Sequence, residues 1–142
     1  MASEYGVFNQ GSVVLEYWLG EVTLDEMLQH ELIQNQDALI HNQSIVVVDC
    51  RDAVFQLTPD CIEQFSQVIL NRPRDIFHKV ALIIHPDTWE LATDYSQRLW
   101  QSNKEVMAFH SLDAASVWLD LDSKNLQKRL TSLKATCMAS IA

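Results

Sequence analysis

Ser44-Ile45-Val46-Val47-Val48-Asp49-Cys50-Arg51 decides the fold. Ile45 to Val48 are β-branched without interruption, and no polar residue alternates with them. A strand that is apolar on both faces must be covered on both faces, which is the pattern of a strand inside a parallel sheet. Lys79-Val80-Ala81-Leu82-Ile83-Ile84 repeats the pattern, and Val106-Met107-Ala108-Phe109 is a shorter version. Upstream, Val13 to Leu19 is β-branched and aromatic, Tyr5 to Phe8 is a short run of similar kind, and Asn9-Gln10-Gly11-Ser12 between them reads as a hairpin turn.

Helical signals fill the gaps between the strands. Gly20 is expected to end the second strand. Thr23-Leu24-Asp25-Glu26 then matches a capping box, in which Thr23 accepts from the Glu26 amide and the Glu26 carboxylate reaches back. Leu24, Leu28 and Leu32, with Met27, predict an amphipathic helix to about Ile40. Thr58-Pro59-Asp60 opens the next helix with an N-cap, a proline at N1 and an acid in the first turn. Asp87 or Thr88 caps a third, and Asp113 to Leu121 is a fourth. The resulting order is β-β-α-β-α-β-α-β-α with an extra helix: a mostly parallel open sheet with right-handed crossovers. Asp122-Ser123 is the one plausible boundary, separating a domain over 1–122 from a C-terminal helix over 123–142.

Composition narrows the function classes. The chain has 142 residues, enough for one core. Its three cysteines, Cys50, Cys61 and Cys137, are odd in number and form no C-x-x-C pair, against a disulfide framework and in favour of a reducing compartment. No basic, apolar leader opens the sequence, and no apolar run approaches the ~18 residues a membrane span needs; the expected location is the cytoplasm. Residues 1–70 carry eleven acids and one base, Arg51, for a charge of −10. Such an acidic body argues against nucleic acid as a partner, since phosphate contacts need clustered Lys and Arg.

Three segments carry a resemblance: Gly20-Glu21-Val22-Thr23 entering the first helix, Val46 to Arg51 closing the central strand, and Val106 to Phe109 followed by Ala114-Ala115-Ser116-Val117-Trp118-Leu119. Over about residues 3–121 the chain resembles the SpoIIAA-like (STAS) fold of anti-sigma-factor antagonists, and in particular its small stand-alone members. The resemblance implies a non-enzymatic regulatory or protein-interaction module that presents a helix and adjoining loops to a partner. Switchable members of that family carry an Asp-Ser pair and then a Gly where the helix after the central strand begins. Here the stretch is Leu57-Thr58-Pro59-Asp60-Cys61. Thr58 is the single hydroxyl at that turn, and its capping role accounts for it, so a Ser phospho-switch is not expected.

Candidate partner- or ligand-binding residues cluster after the strands, where open α/β sheets bind ligands. They are Asp49, Arg51 and Asp52 after the central strand, Thr58 at the helix cap, and His85, Asp87 and Trp89 after the next strand. The alternative function is therefore a small-molecule or lipid-binding domain with a pocket at this rim. The plainer reading is that Asp49 and Asp52 cap turns and pair with Arg51, and that Trp89 packs. His85-x-Asp87 with His110 has no established metal-ligand spacing, so no metal and no cofactor is assigned. Cys50 has no nucleophile motif and reads as a small buried hydrophobe. With no G-x-G-x-x-G, P-loop or G-x-S-x-G, no catalytic signature is present; the remaining enzyme reading would rest on Asp49, Cys50 or His85.

The tail carries Lys124, Lys128, Arg129 and Lys134 and no acid, for a charge of +4. Leu126, Leu130, Leu133, Cys137 and Ile141 form one apolar helical stripe. Leu126, Leu130, Leu133 and Ile141 are expected to be an interface, against the chain's own sheet, a second copy in a homodimer, a partner helix or a membrane surface.

Overall fold

A computed structural model describes residues 3–102 and 104–141. Five strands, β1 (Ser3–Phe8), β2 (Val13–Val22), β3 (Ile45–Phe55), β4 (Lys79–Ile83) and β5 (Glu105–Phe109), form one sheet in the order β1-β2-β3-β4-β5. β1 runs antiparallel to β2, and the other neighbours are parallel. The helices are α1 (Leu24–Asn35), α2 (Pro59–Leu70), α3 (Trp89–Trp100), α4 (Leu112–Leu119) and α5 (Ser123–Ile141). The strand order increases steadily from β2 to β5, so three right-handed crossovers put α1, α2 and α3 on the same face. The opposite face is covered by α4 and α5, which fold back over it.

Period-two alternation assigns each strand residue to one of two cores. Val14, Trp18, Val46 and Val48 pack towards α1–α3. Val13, Leu15, Val47, Ala81 and Ile83 pack against Leu112, Ala115, Leu126 and Leu130 of α4 and α5. This explains the unbroken apolar runs: β3 and β4 have no wet face.

The hairpin turn spans four residues, Asn9 to Ser12, between the paired Phe8 and Val13. Asn9, Gln10 and Gly11 all have positive φ, and Gly11 at φ 91° admits no side chain, because a Cβ there would lie 1.9 Å from the Leu39 carbonyl oxygen. Ser44 donates its hydroxyl to the Gly11 carbonyl, and the Ile45 amide bonds the Ser12 carbonyl at 2.9 Å, so the turn also sets where β3 starts.

Four details depart from the sequence expectations. Gly20, at φ 77°, does not end β2; it follows a register shift between Tyr17 and Leu19, and the strand continues to Val22. α1 stops at Asn35 rather than near Ile40, because the Arg74 guanidinium donates to the carbonyls of Asn35 (3.0 Å), Asp37 (2.7 Å) and Ile40 and holds that segment as a loop. Leu32 lies outside rather than inside, at 60% exposed. α5 docks on β1 and β2 and buries Leu126, Leu130 and Cys137, with Leu133 partly covered, but Ile141 is 55% exposed because the last turn lies beyond the second core.

Candidate functional site

The inward face of α1 is polar. Met27, His30, Glu31 and Gln34 recur at i, i+3, i+4 and i+7 and point at the sheet. His30, Glu31 and Gln34 are all buried, whereas Leu32 and Ile33 face outwards. Opposite them on β2 stands Glu16, buried between Val14 and Trp18 on the same side of the strand. Glu16 accepts from the Trp18 indole at 3.1 Å and from the Gln34 amide at 2.9 Å. His30 Nε2 lies 3.0 Å from Glu16 Oε1, off the N–H axis, so the contact is an ion pair rather than a directed hydrogen bond. His30 Nδ1 meets the Ser3 hydroxyl at 3.3 Å, and the ring packs on Trp18 and Tyr5. Beside this pair, Arg72 in the loop after α2 bonds Glu31 Oε1 at 3.0 Å and donates to the Ile76 carbonyl.

These groups line a cavity of about 140 Å³ between the sheet and α1–α3. Its remaining walls are mostly apolar, among them Val46, Val48, Cys50, Phe65, Leu82 and Leu91. Tyr95 of α3 lines it too, with its ring 5.6 Å from that of Phe65. Phe77, also in the wall, sits at φ 63°, a strained conformation for a bulky residue. It is held there by bonds from its amide to the His41 carbonyl and from Lys104 to its own carbonyl, each 3.1 Å.

Burial governs the electrostatics. Burial works against the Glu16 carboxylate, yet His30, Gln34 and Trp18 outweigh it and hold the Glu16 pKa below its ordinary value. Burial likewise opposes the His30 cation, and Glu16 overrides it and raises the His30 pKa. Glu31 is pushed up, since burial exceeds the pull of Arg72. Burial, reinforced by Glu31, raises Tyr95. Burial pushes the Cys50 thiol well up, so it stays a thiol at neutral pH, which fits a packing residue better than a nucleophile.

The seven candidates from the sequence lie outside this cavity and in separate places. Asp49 and Arg51 form a bidentate pair at 3.0 and 2.9 Å. Asp52 accepts from the Tyr17 hydroxyl at 2.5 Å and from Lys134 of α5 at 3.1 Å, on the α5 side of the sheet. The Tyr17 hydroxyl and then Lys134 hold the Asp52 pKa down. Thr58 caps α2, accepting from the Cys61 amide and donating to Cys61 Sγ, both at 3.3 Å. The exposed His85 and Asp87 form a local turn, the Asp87 amide bonding His85 Nδ1 at 3.1 Å, and Trp89 stacks on His110 with centroids 5.1 Å apart. Among the described residues no hydrogen bond or ion pair joins the Arg51 group to the His85 group, and no cluster of His, Cys, Asp and Glu is arranged to hold a metal. No helix of the described residues is long and apolar enough to cross a membrane.

No sequence motif marks the polar cluster. One signal for it exists: Glu16 interrupts Val13-Val14-Leu15 and Tyr17-Trp18-Leu19, so a carboxylate in a buried strand demanded a partner.

No protein family model and no curated protein matches the chain. Among solved structures it is similar to the crystal structure of an uncharacterised DUF3478-family protein from Shewanella loihica PV-4. The TM-score is 0.57 at 16% identity, over 82% of this chain and 93% of that one. That protein is described as having a SpoIIAA-like fold, and the five-stranded, mostly parallel sheet with its flanking helices is the SpoIIAA-like fold here as well.

Proposed function

We propose that the chain is a non-enzymatic regulatory or interaction module that offers the outer side of α1 to a protein partner and has no Ser phospho-switch. The observation that carries this reading is the apolar outer side of α1. The helix buries His30, Glu31 and Gln34 and leaves Leu32 (60%) and Ile33 (50%) exposed, with Leu39 (60%) just beyond its end. Asp25 lies two turns before Leu32 on the same side, and the surrounding first 70 residues carry −10. A partner that fits has an apolar recess rimmed by Lys and Arg, which would also speed the encounter. Thr58 is engaged as a helix cap, consistent with a constitutive rather than a phosphorylated contact. A pocket formed by Arg51, His85 and Trp89 at the strand rim is the weaker reading, because those groups are held apart.

The test is a photo-crosslinking side chain placed at position 32 in cells, with one at the 83% exposed Val117 of α4 as control. The expected result is capture of one protein from position 32 alone, abolished by Ile33→Glu at unchanged melting temperature. Identical capture patterns from both positions, or no capture from position 32, would sink the reading. Capture of a second copy of the chain would make the partner a homodimer.

A further inference from the structure

The cavity under α1 has the features of a ligand site, independently of any partner on the outer side of that helix. Every ion in its wall is already matched: Glu16 with His30, Glu31 with Arg72, and Lys104 at the margin with Asp75. A ligand bringing a further charge would have to break a buried pair, and leaving either partner of such a pair uncompensated is heavily unfavourable. Polar capacity nevertheless remains. Arg72, whose side chain is 6% exposed, has its Nε buried without a hydrogen-bond partner. The half-buried Tyr95 lines the same cavity, and its hydroxyl, which forms no hydrogen bond among the described residues, offers a second donor. A buried donor without an acceptor is uncommon and costly, so Arg72 Nε calls for an explanation.

Size sets the second constraint. A cavity of about 140 Å³ is close to the engineered apolar cavity of ~150 Å³ that takes up benzene. We propose that the space between the sheet and α1–α3 binds an uncharged, mostly apolar molecule of ring size, carrying one oxygen that accepts a hydrogen bond at the Arg72–Tyr95 end. The apolar body fills the space between Val48, Phe65, Leu82 and Leu91, and the ion pairs stay intact.

Trp18 is a built-in reporter. It lines the cavity and its indole N–H bonds Glu16, whereas Trp89, Trp100 and Trp118 are not in the wall. Four probes of matched shape are titrated into the full chain: 4-methylphenol, toluene, benzoate and benzylamine. The indole resonances are followed by NMR and assigned by Trp89→Phe, Trp100→Phe and Trp118→Phe. The expected result is a saturable shift of the Trp18 signal by 4-methylphenol, at least tenfold tighter than either charged probe and several-fold tighter than toluene. Ala92→Leu, which adds bulk to the cavity wall, should weaken that binding at least tenfold. No saturable shift at Trp18, shifts confined to the other three indoles, or equal affinity for a charged probe or for toluene would each overturn the proposal. The titration of the unmodified chain decides the matter even if Ala92→Leu does not fold.

Discussion

At Glu16 the chain encloses a carboxylate that water no longer solvates, and His30 is the group that keeps it charged. The two shifts have opposite signs and define a pH window. A raised His30 pKa stabilises the folded state fully below the ordinary value of 6.5, and this contribution is lost as the pH climbs through the raised value. A lowered Glu16 pKa stabilises fully above the ordinary 4.5 and is lost as the pH falls through the lowered value. Glu31 acts the other way, because its raised pKa makes ionisation above 4.5 unfavourable to folding. Above pH 6.5 the His30 contribution fades as the pH climbs through its raised value. The melting temperature of the wild-type chain minus that of His30→Gln should fall as the pH rises from 6.5 towards the alkaline side. His41, His78, His85 and His110 are present in both proteins and cancel in that difference. A difference independent of pH would show that folding leaves the His30 pKa where it is in the unfolded chain, and a difference that rises with pH would show that burial keeps His30 neutral.

Among the elements, α5 and α1 mark the two ends of what the sequence discloses. In α5 the apolar spacing agrees with the burial of Leu126, Leu130 and Cys137, because a helix that must cover a bare sheet face does so with its apolar stripe. The strands were legible for the same reason. In α1 the Leu24-Leu28-Leu32 spacing predicts an inward stripe that holds only in part, since Leu24 and Leu28 are half-buried and Leu32 is exposed. The competing Met27-His30-Glu31-Gln34 stripe is set by the demand of Glu16 across the sheet, a long-range requirement that hydropathy along one helix does not contain. Asp49, Arg51 and Asp52 lie within β3, which runs on to Phe55 beside β2 instead of ending at Asp49, and the pairing of Asp52 with Lys134 depends on how α5 docks. For α5 itself, Leu126→Ala and Leu130→Ala should each cost about 2–5 kcal/mol in chemical denaturation. Ile141→Ala should stay within about 0.5 kcal/mol, as an exposed site does. Equal costs at all three positions would mean that the end of the helix is covered in solution, as by a second copy.

Over the whole molecule the sheet divides two layers with different physical character. The α4–α5 layer is packed with Leu, Ala and Val. The α1–α3 layer contains the cavity, the strained Phe77 and two buried ion pairs, all of which lower stability relative to a filled apolar layer. A fold that needed only stability would not arrange this layer in this way. The Glu31–Arg72 pair measures the difference. Removing one partner alone, in Glu31→Leu, leaves the Arg72 guanidinium buried and uncompensated, and should cost about 3–5 kcal/mol. Replacing both, in Glu31→Leu with Arg72→Met, removes the unmatched charge and supplies apolar bulk, and should recover most of that loss or exceed the wild-type stability. The same double variant should bind 4-methylphenol several-fold more weakly, by about the margin that separates it from toluene in the wild-type chain, because the Arg72 donor is gone. Chemical denaturation of the four proteins of this cycle checks the first part, and the indole titration checks the second. If Glu31→Leu alone costs under about 1 kcal/mol, the pair behaves as an exposed surface bridge, and the α1–α3 layer is open to water rather than an enclosed polar site.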